Sequence, residues 1–283
     1  MDTFVVLGAG LAGLNAALHL SESTDKRVIV LEREPRVGGL AASLEWKGAR
    51  LDLGPHRIFT EIPEIRQLIN DLVGDELIQV KRSSHMYLNN RFLAYPPRIG
   101  QMALALGPSK MIRWGLSYLA GQIPQIRRTP TDETYETFLC RQFGSALYQD
   151  FFLPFARKVW GTSPSKLSSD IVKTRVASKS LLHALLGKTD KKGRPSTLRE
   201  FPYPKLGIGR IAERLKERLE ARGVRIILES EPTLIKMSSK GEVLLAFQDR
   251  RSDQMVTAEL KGVVSTIPLV ELIEILRAPG WET

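Results

Sequence analysis

Cysteine is nearly absent: Cys140 is the single one in 283 residues. That excludes an intramolecular disulfide and any metal site built on several cysteines, and it leaves Cys140 as a small apolar core residue. Histidine is scarce as well. His19, His56, His85 and His183 lie far apart and lack a metal-ligand spacing. No run approaches the roughly 18 uninterrupted apolar residues of a bilayer span. Met1-Asp2-Thr3 starts no secretory signal, so a reducing cytoplasm is the expected compartment. Two signatures of chemistry are missing too. No G-x-S-x-G elbow occurs, and Gly187-Lys188-Thr189 is no phosphate loop because Leu182 stands where its first glycine belongs.

What is present is an ordinary globular composition with a lopsided charge. Lysine and arginine number 41 against 31 acids, a net +10. Residues 151–200 hold eleven bases and three acids, a net +8, so the excess is local. A chain that coats nucleic acid would be basic throughout, and no nucleic acid is expected as a partner. The basic stretch runs from Arg157, Lys158 and Lys166 through Lys173, Arg175, Lys179 and Lys188 to Lys191, Lys192 and Arg194. A solvated face is the simpler reading. The alternatives are an anionic small-molecule substrate or peripheral contact with acidic lipid. Residues 98–121 bear on the second. Met102, Leu104, Leu106, Met111, Ile112, Trp114, Leu116 and Leu119 sit among only Lys110 and Arg113, which suits a buried helix and, as the alternative, an interfacial one.

The chain opens with a buried strand at Phe4–Leu7, a glycine turn, a helix from Leu11 to Ser21, and a second strand at Arg27–Leu31. Hairpins are predicted around Lys47-Gly48 and around Asn89-Asn90. A helix is predicted over 61–73. Residues 98–186 read as mostly helical, broken at Gly107-Pro108, Thr129-Pro130 and Gly161–Pro164, and 187–208 as a long loop. A helix over 209–222 follows, with Gly223 in position to end it. Short strands come near 224–229, 233–237, 243–248, 255–260 and 262–267. This order predicts an α/β fold: a Rossmann-like nucleotide-binding domain with an inserted, largely helical and partly β substrate domain. The expected divisions are 1–80, 81–205 and 206–283.

Gly8-Ala9-Gly10-Leu11-Ala12-Gly13 is G-x-G-x-x-G between a strand and a helix. The first glycine permits the tight turn, the second a close backbone approach to a pyrophosphate, and the third helix–strand packing. The helix N-terminus adds N–H groups and a partial positive charge. Glu32, nineteen residues after Gly13, ends the second strand, where its carboxylate accepts ribose hydroxyls and repels a 2′-phosphate. Arg33 follows it, and soon after comes a second glycine pair, Gly38-Gly39, a further close approach suited to a ligand longer than the first half of NAD. Binding of NAD alone is the disfavoured alternative.

With Glu32, Arg36-Val37-Gly38-Gly39 and the glycine turn, the run from Val5 to Phe59 resembles the N-terminus of the FAD-dependent amine oxidase, protoporphyrinogen oxidase and phytoene desaturase superfamily, which includes UDP-galactopyranose mutase. Leu40 departs from the arginine common there after the glycine pair. Asp52-Leu53-Gly54-Pro55-His56 is similar to that family's D-x-G-P-H segment. Lys158-Val159-Trp160-Gly161 resembles its K-V-W-G segment. Phe201–Arg210 resembles the Y-P-x-G-G stretch, with Leu206 replacing a glycine, and Val263–Pro268 the strand returning to the FAD domain. The resemblance implies FAD as cofactor, a small-molecule substrate and hydride transfer to flavin N5. Flavin-dependent isomerisation of a nucleotide sugar and an inactive FAD-binding fragment are the alternatives. It implies cofactor contacts from Gly8, Ala9, Gly10, Leu11, Ala12, Gly13, Glu32, Arg33, Gly38, Gly39, Leu40, Gly54, Pro55, His56 and, against the adenine, Pro232. His56 is the candidate polar group near the flavin, a turn histidine being the plainer reading. Asp52 is read as a local cap, Trp160 as core with a place in the substrate cavity as the alternative, and Tyr87, Arg91 and Tyr95 as candidates to face a pocket. Relatives usually continue past the returning strand, so a C-terminal remainder is expected to be absent from this chain.

Overall fold

The computed structural model of the chain describes residues 2–22, 26–94, 99–121, 133–175, 200–238 and 241–277. The strands among them are β1 (Asp2–Leu7), β2 (Lys26–Leu31), β3 (Ser43–Trp46), β4 (Ala49–Asp52), β5 (Leu77–Lys81), β6 (His85–Leu88), β7 (Arg91–Ala94), β8 (Glu200–Pro204), β9 (Arg225–Ile227), β10 (Ser230–Met237), β11 (Val243–Asp249), β12 (Gln254–Leu260), β13 (Gly262–Ser265) and β14 (Leu276–Arg277). The chain divides into two compact units. One comprises Met1–Lys81 and Glu200–Thr283, the other Arg82–Arg199.

The first unit is built on a parallel sheet of order β13-β1-β2-β9. Its inner strands are near-continuous apolar runs because both of their faces are covered. On one face lies the helix Leu11–Leu20, whose Leu14, Ala17 and Leu18 share a core with Ile211, Ala212, Leu215 and Leu219 of the helix Arg210–Ala221. Against the other lies a second sheet, β12-β11-β10-β14, where Val5, Leu7 and Leu31 pack on Ile235, Leu245 and Phe247. Gly223 stands in left-handed conformation just past the Arg210–Ala221 helix. The same helix is pinned by its own charges: Arg210 Nε is 2.8 Å and Arg214 Nη2 2.6 Å from Glu76. The β3–β4 hairpin turns through Lys47 and Gly48, both at positive φ. One correction concerns the loop read over 187–208. Residues 187–199 lie outside the described residues, but Glu200–Pro204 is a strand, antiparallel to β5, which the sequence reading also missed. Two prolines disguise β8, and a two-stranded ribbon tolerates them because a missing N–H can face outward.

The second unit opens with the β6–β7 hairpin, turning through Asn89 and Asn90 at φ +49° and +61°. Helices follow at Ile99–Leu106 and Pro108–Gly121, parted at Gly107, then at Tyr135–Phe143 and Leu153–Trp160. Thr134 and Thr137 cap the third of these reciprocally. Its core gathers Phe138, Leu139, Phe143, Tyr148 and Phe152, with Cys140 and Trp160 packed against it. Burial pushes the Cys140 thiol up to about 11, as befits an apolar packing residue. The segment over 98–121, read as a buried helix with an interfacial one as the alternative, is buried on one side only. Met102 and Trp114 are buried, but Leu104, Ile112, Leu116 and Leu119 are 76%, 62%, 64% and 63% exposed. The second of these helices carries an exposed apolar stripe, Ile112, Leu116 and Leu119, beside exposed Lys110 and Arg113. Tyr87 is exposed against Phe92, Arg91 is exposed, and Tyr95 and Thr129-Pro130 lie outside the described residues. Of the basic stretch, Arg157, Lys158 and Lys166 are exposed. The side chains of Lys173 and Arg175, and all of Lys179, Lys188, Lys191, Lys192 and Arg194, lie outside the described residues. Among the described residues no helix is long and apolar enough to cross a membrane.

Candidate functional site

A cleft of about 930 Å³ opens in the first unit where the loops leave the C-terminal ends of its parallel strands. That is where an open parallel α/β sheet binds ligands. One wall is the glycine turn. Gly8, at φ +94°, takes the chain out of β1, and Gly10 caps the Leu11–Leu20 helix without any side-chain cap. The N–H groups of that helix's first turn therefore face outward with no partner inside the helix. The second wall is Gly38-Gly39, which begins a single 3-10 turn, Gly39–Ala41, again with no side-chain cap. The two glycine segments touch as a parallel bridge, Gly10 to Gly38. A Cβ on Gly39 would stand 3.3 Å from the Gly10 Cα, so the backbones meet where only glycine fits easily. Two uncapped turns, side by side, present backbone donors to one cleft, which suits an anionic diphosphate.

Glu32 closes this wall. It is 8% exposed, and its carboxylate accepts the Ala9 N–H at 2.6 Å and the Glu34 N–H at 2.9 Å. A carboxylate has about four acceptor positions, so capacity for a ribose diol remains. Outward from it the rim is acidic: Glu34, Glu231, Glu271 and Glu274 line the cleft. Arg33 lies among them, 3.3 Å from Glu271 and 4.0 Å from Glu231. This negative rim opposes any additional phosphate on the nucleoside while the glycine turns favour the diphosphate.

Of the residues singled out in the sequence, Gly8, Gly10, Leu11, Ala12, Glu32, Arg33, Gly38, Gly39, Leu40, His56 and Pro232 line the cleft. Leu40 is 86% exposed there. Ala9, Gly13, Gly54 and Pro55 are not in its lining. Ala9 is fully buried beneath it. Gly13 serves packing: a Cβ there would stand 1.9 Å from the Gly8 carbonyl oxygen. Asp52 acts as a cap. It accepts the Ser43 hydroxyl at 2.5 Å and the Ile208 N–H at 3.1 Å, at the entry to the Arg210–Ala221 helix. Gly207 and Gly209 are required against Ser43 there, whereas Leu206 is half-exposed and needs no glycine.

The sequence reading missed the far wall, Thr266, Ile267, Pro268, Glu271, Glu274 and Ile275. Thr266 donates its hydroxyl to the Leu7 carbonyl at 2.8 Å and so abuts the glycine turn. The signal was available: a strand ending in Ser-Thr-Ile-Pro that pairs with β1 must deliver its next residues beside Gly8.

The sequence profile described as flavin containing amine oxidoreductase matches residues 11–281. Protoporphyrinogen oxidase 1 of Spinacia oleracea chloroplasts is 26% identical over 299 residues, 96% of this chain and 51% of that one. Phytoene dehydrogenase of Streptomyces griseus is 56% identical over 55 residues, 19% of this chain and 11% of that one. A crystal structure of reduced UDP-galactopyranose mutase superposes with a TM-score of 0.76 at 23% identity, over 99% of this chain and 58% of that one, a likeness of fold. The chain thus spans about half the length of the curated protoporphyrinogen oxidase it matches.

Proposed function

We propose, from the premise that this chain belongs to the flavin-containing amine oxidoreductase family, that it binds FAD in the cleft of its first unit and serves a flavin-dependent oxidoreductase. The observation that carries this reading is the pair of uncapped glycine turns meeting beside the buried carboxylate of Glu32. The N–H groups of Leu11, Ala12, Gly39 and Leu40 would hold the diphosphate. Glu32 would accept the ribose hydroxyls, with Glu231 and Pro232 walling the adenine. When bound, the flavin supplies the redox chemistry, accepting a hydride at N5 from an organic substrate. The residues of this chain bind and orient it, and His56 is the imidazole in the cleft lining able to hold a proton or hydrogen-bond there.

The named relatives act on protoporphyrinogen and phytoene, and a small, largely apolar or cyclic substrate is the class proposed here. A nucleotide-sugar isomerase is the second reading, favoured by His56 lining the cleft within the Asp52–His56 segment. Binding of UDP-galactose to the reduced protein would put it first. Peripheral contact with acidic lipid is proposed for the apolar face of Ile112, Leu116 and Leu119, which lies beside exposed Lys110 and Arg113; a cytoplasmic site is consistent with it. The test of the cofactor reading is addition of FAD to the purified chain. A bound flavin absorption spectrum and a rise in melting temperature are expected, about 2.7 kcal/mol of added stability at a hundred times the Kd. Tight binding of NAD with no response to FAD would overturn it.

A further inference from the structure

The glycine turn hangs on a peptide that the cleft never exposes. Ala9 is fully buried, and both of its polar groups are engaged. Its N–H donates to Glu32 Oε2 at 2.6 Å, and its carbonyl accepts the Gly38 N–H at 2.8 Å. Glu32 is held in turn. Its other carboxylate oxygen accepts the Glu34 N–H, its own N–H donates to the Ile227 carbonyl at 2.9 Å, and its carbonyl accepts the Ser230 N–H at 2.8 Å. Hydrogen bonds to an ionised acceptor are shorter and about twice as strong as neutral ones, and burial keeps water from competing. The carboxylate therefore joins three segments: the glycine turn, the exit of β2 and, through its own backbone, the β9–β10 junction.

We propose that Glu32 is a positioning residue for the phosphate-binding turn, in addition to any contact with ribose. By fixing the Ala9 peptide it sets the direction of Gly10 and Leu11, which follow it into the cleft, before a ligand arrives. The N–H groups of Ala9 and Gly38 are engaged inside the protein and are not offered to phosphate. Preorganisation of this kind removes part of the ordering cost of binding. The inference rests on the reading of the cleft as an adenine dinucleotide site.

A ligand without ribose hydroxyls separates the two roles. Calorimetry with ADP and with 2′,3′-dideoxy-ADP is run on the whole chain and on Glu32→Gln. Glutamine keeps the size, but its one carbonyl oxygen can accept the N–H of Ala9 or of Glu34 and not both, its NH2 opposes the other, and the charge is gone. A positioning role predicts that dideoxy-ADP binds the variant about tenfold more weakly than it binds the natural chain, the equivalent of one charge-assisted hydrogen bond. Equal affinity of dideoxy-ADP for both proteins, with only ADP weakened in the variant, would overturn the proposal. Failure of the natural chain to bind ADP or FAD would instead overturn the dinucleotide reading. Amide exchange of the ligand-free natural chain decides the matter if the variant does not fold. Strong protection at Ala9 is expected, and exchange there as fast as at an exposed loop amide would sink the proposal.

Discussion

Gly13 has no room for a methyl group: a Cβ would stand 1.9 Å from the Gly8 carbonyl oxygen and 2.8 Å from the Thr266 hydroxyl. The obstruction is backbone, which cannot rotate away. Gly13→Ala is therefore expected to destabilise the ligand-free protein by about 2 kcal/mol, the middle of the usual range for overpacking. It should weaken FAD binding as well, because Gly8 and the first helical turn must separate. Urea unfolding and flavin titration check it, and an unchanged unfolding midpoint would show that the packing role is wrong. At this scale the sequence was eloquent about glycine and silent about partners. Spacing alone marked Gly8, Gly10, Gly13 and Glu32. Nothing in spacing says that Ala9, a nominal ligand contact, turns inward, or that Glu32 engages a backbone N–H before any ribose.

Elements whose pattern is local were legible, and those defined by a distant partner were not. The two opening strands, the helix between them and both hairpins follow from apolar runs and turn residues. β5 and β8 do not, since each exists through the other, and the second carries two prolines. The Arg210–Ala221 helix shows how an element is then fixed. The hydrogen bond from Arg210, and with it Arg214, holds the Glu76 carboxyl below its ordinary value of 4.5. A depressed carboxylate contributes stability above its unfolded pKa and loses it as the pH falls through the folded one. The stability difference between the natural chain and Glu76→Gln should thus be constant near neutrality and shrink once the pH drops below 4.5. Chemical denaturation at neutral and acid pH measures it, and a difference indifferent to pH would refute the pairing.

At the scale of the whole molecule, the composition reported an excess of positive charge but not a surface. The structure supplies one candidate surface, the outward Ile112, Leu116 and Leu119. Flotation with vesicles containing acidic phospholipid should carry the protein, less so at high salt. Changing all three residues to serine should weaken the association at least about tenfold, given the free energy of burying such side chains. Salt-independent flotation of both proteins would argue against this face. The order of the central sheet has a consequence of another kind. β1 lies between β2 and β13, and Phe4 is paired with Gly262. β1 thus waits for a partner made long after it, and a closing contact across so much chain is slow to find. Until it forms, Thr266 and the far wall of the cleft are missing, and the apolar edge of β1 is open to other partners. The cleft is therefore complete only once β13 has paired with β1, and the interval before that leaves an apolar strand edge open to aggregation.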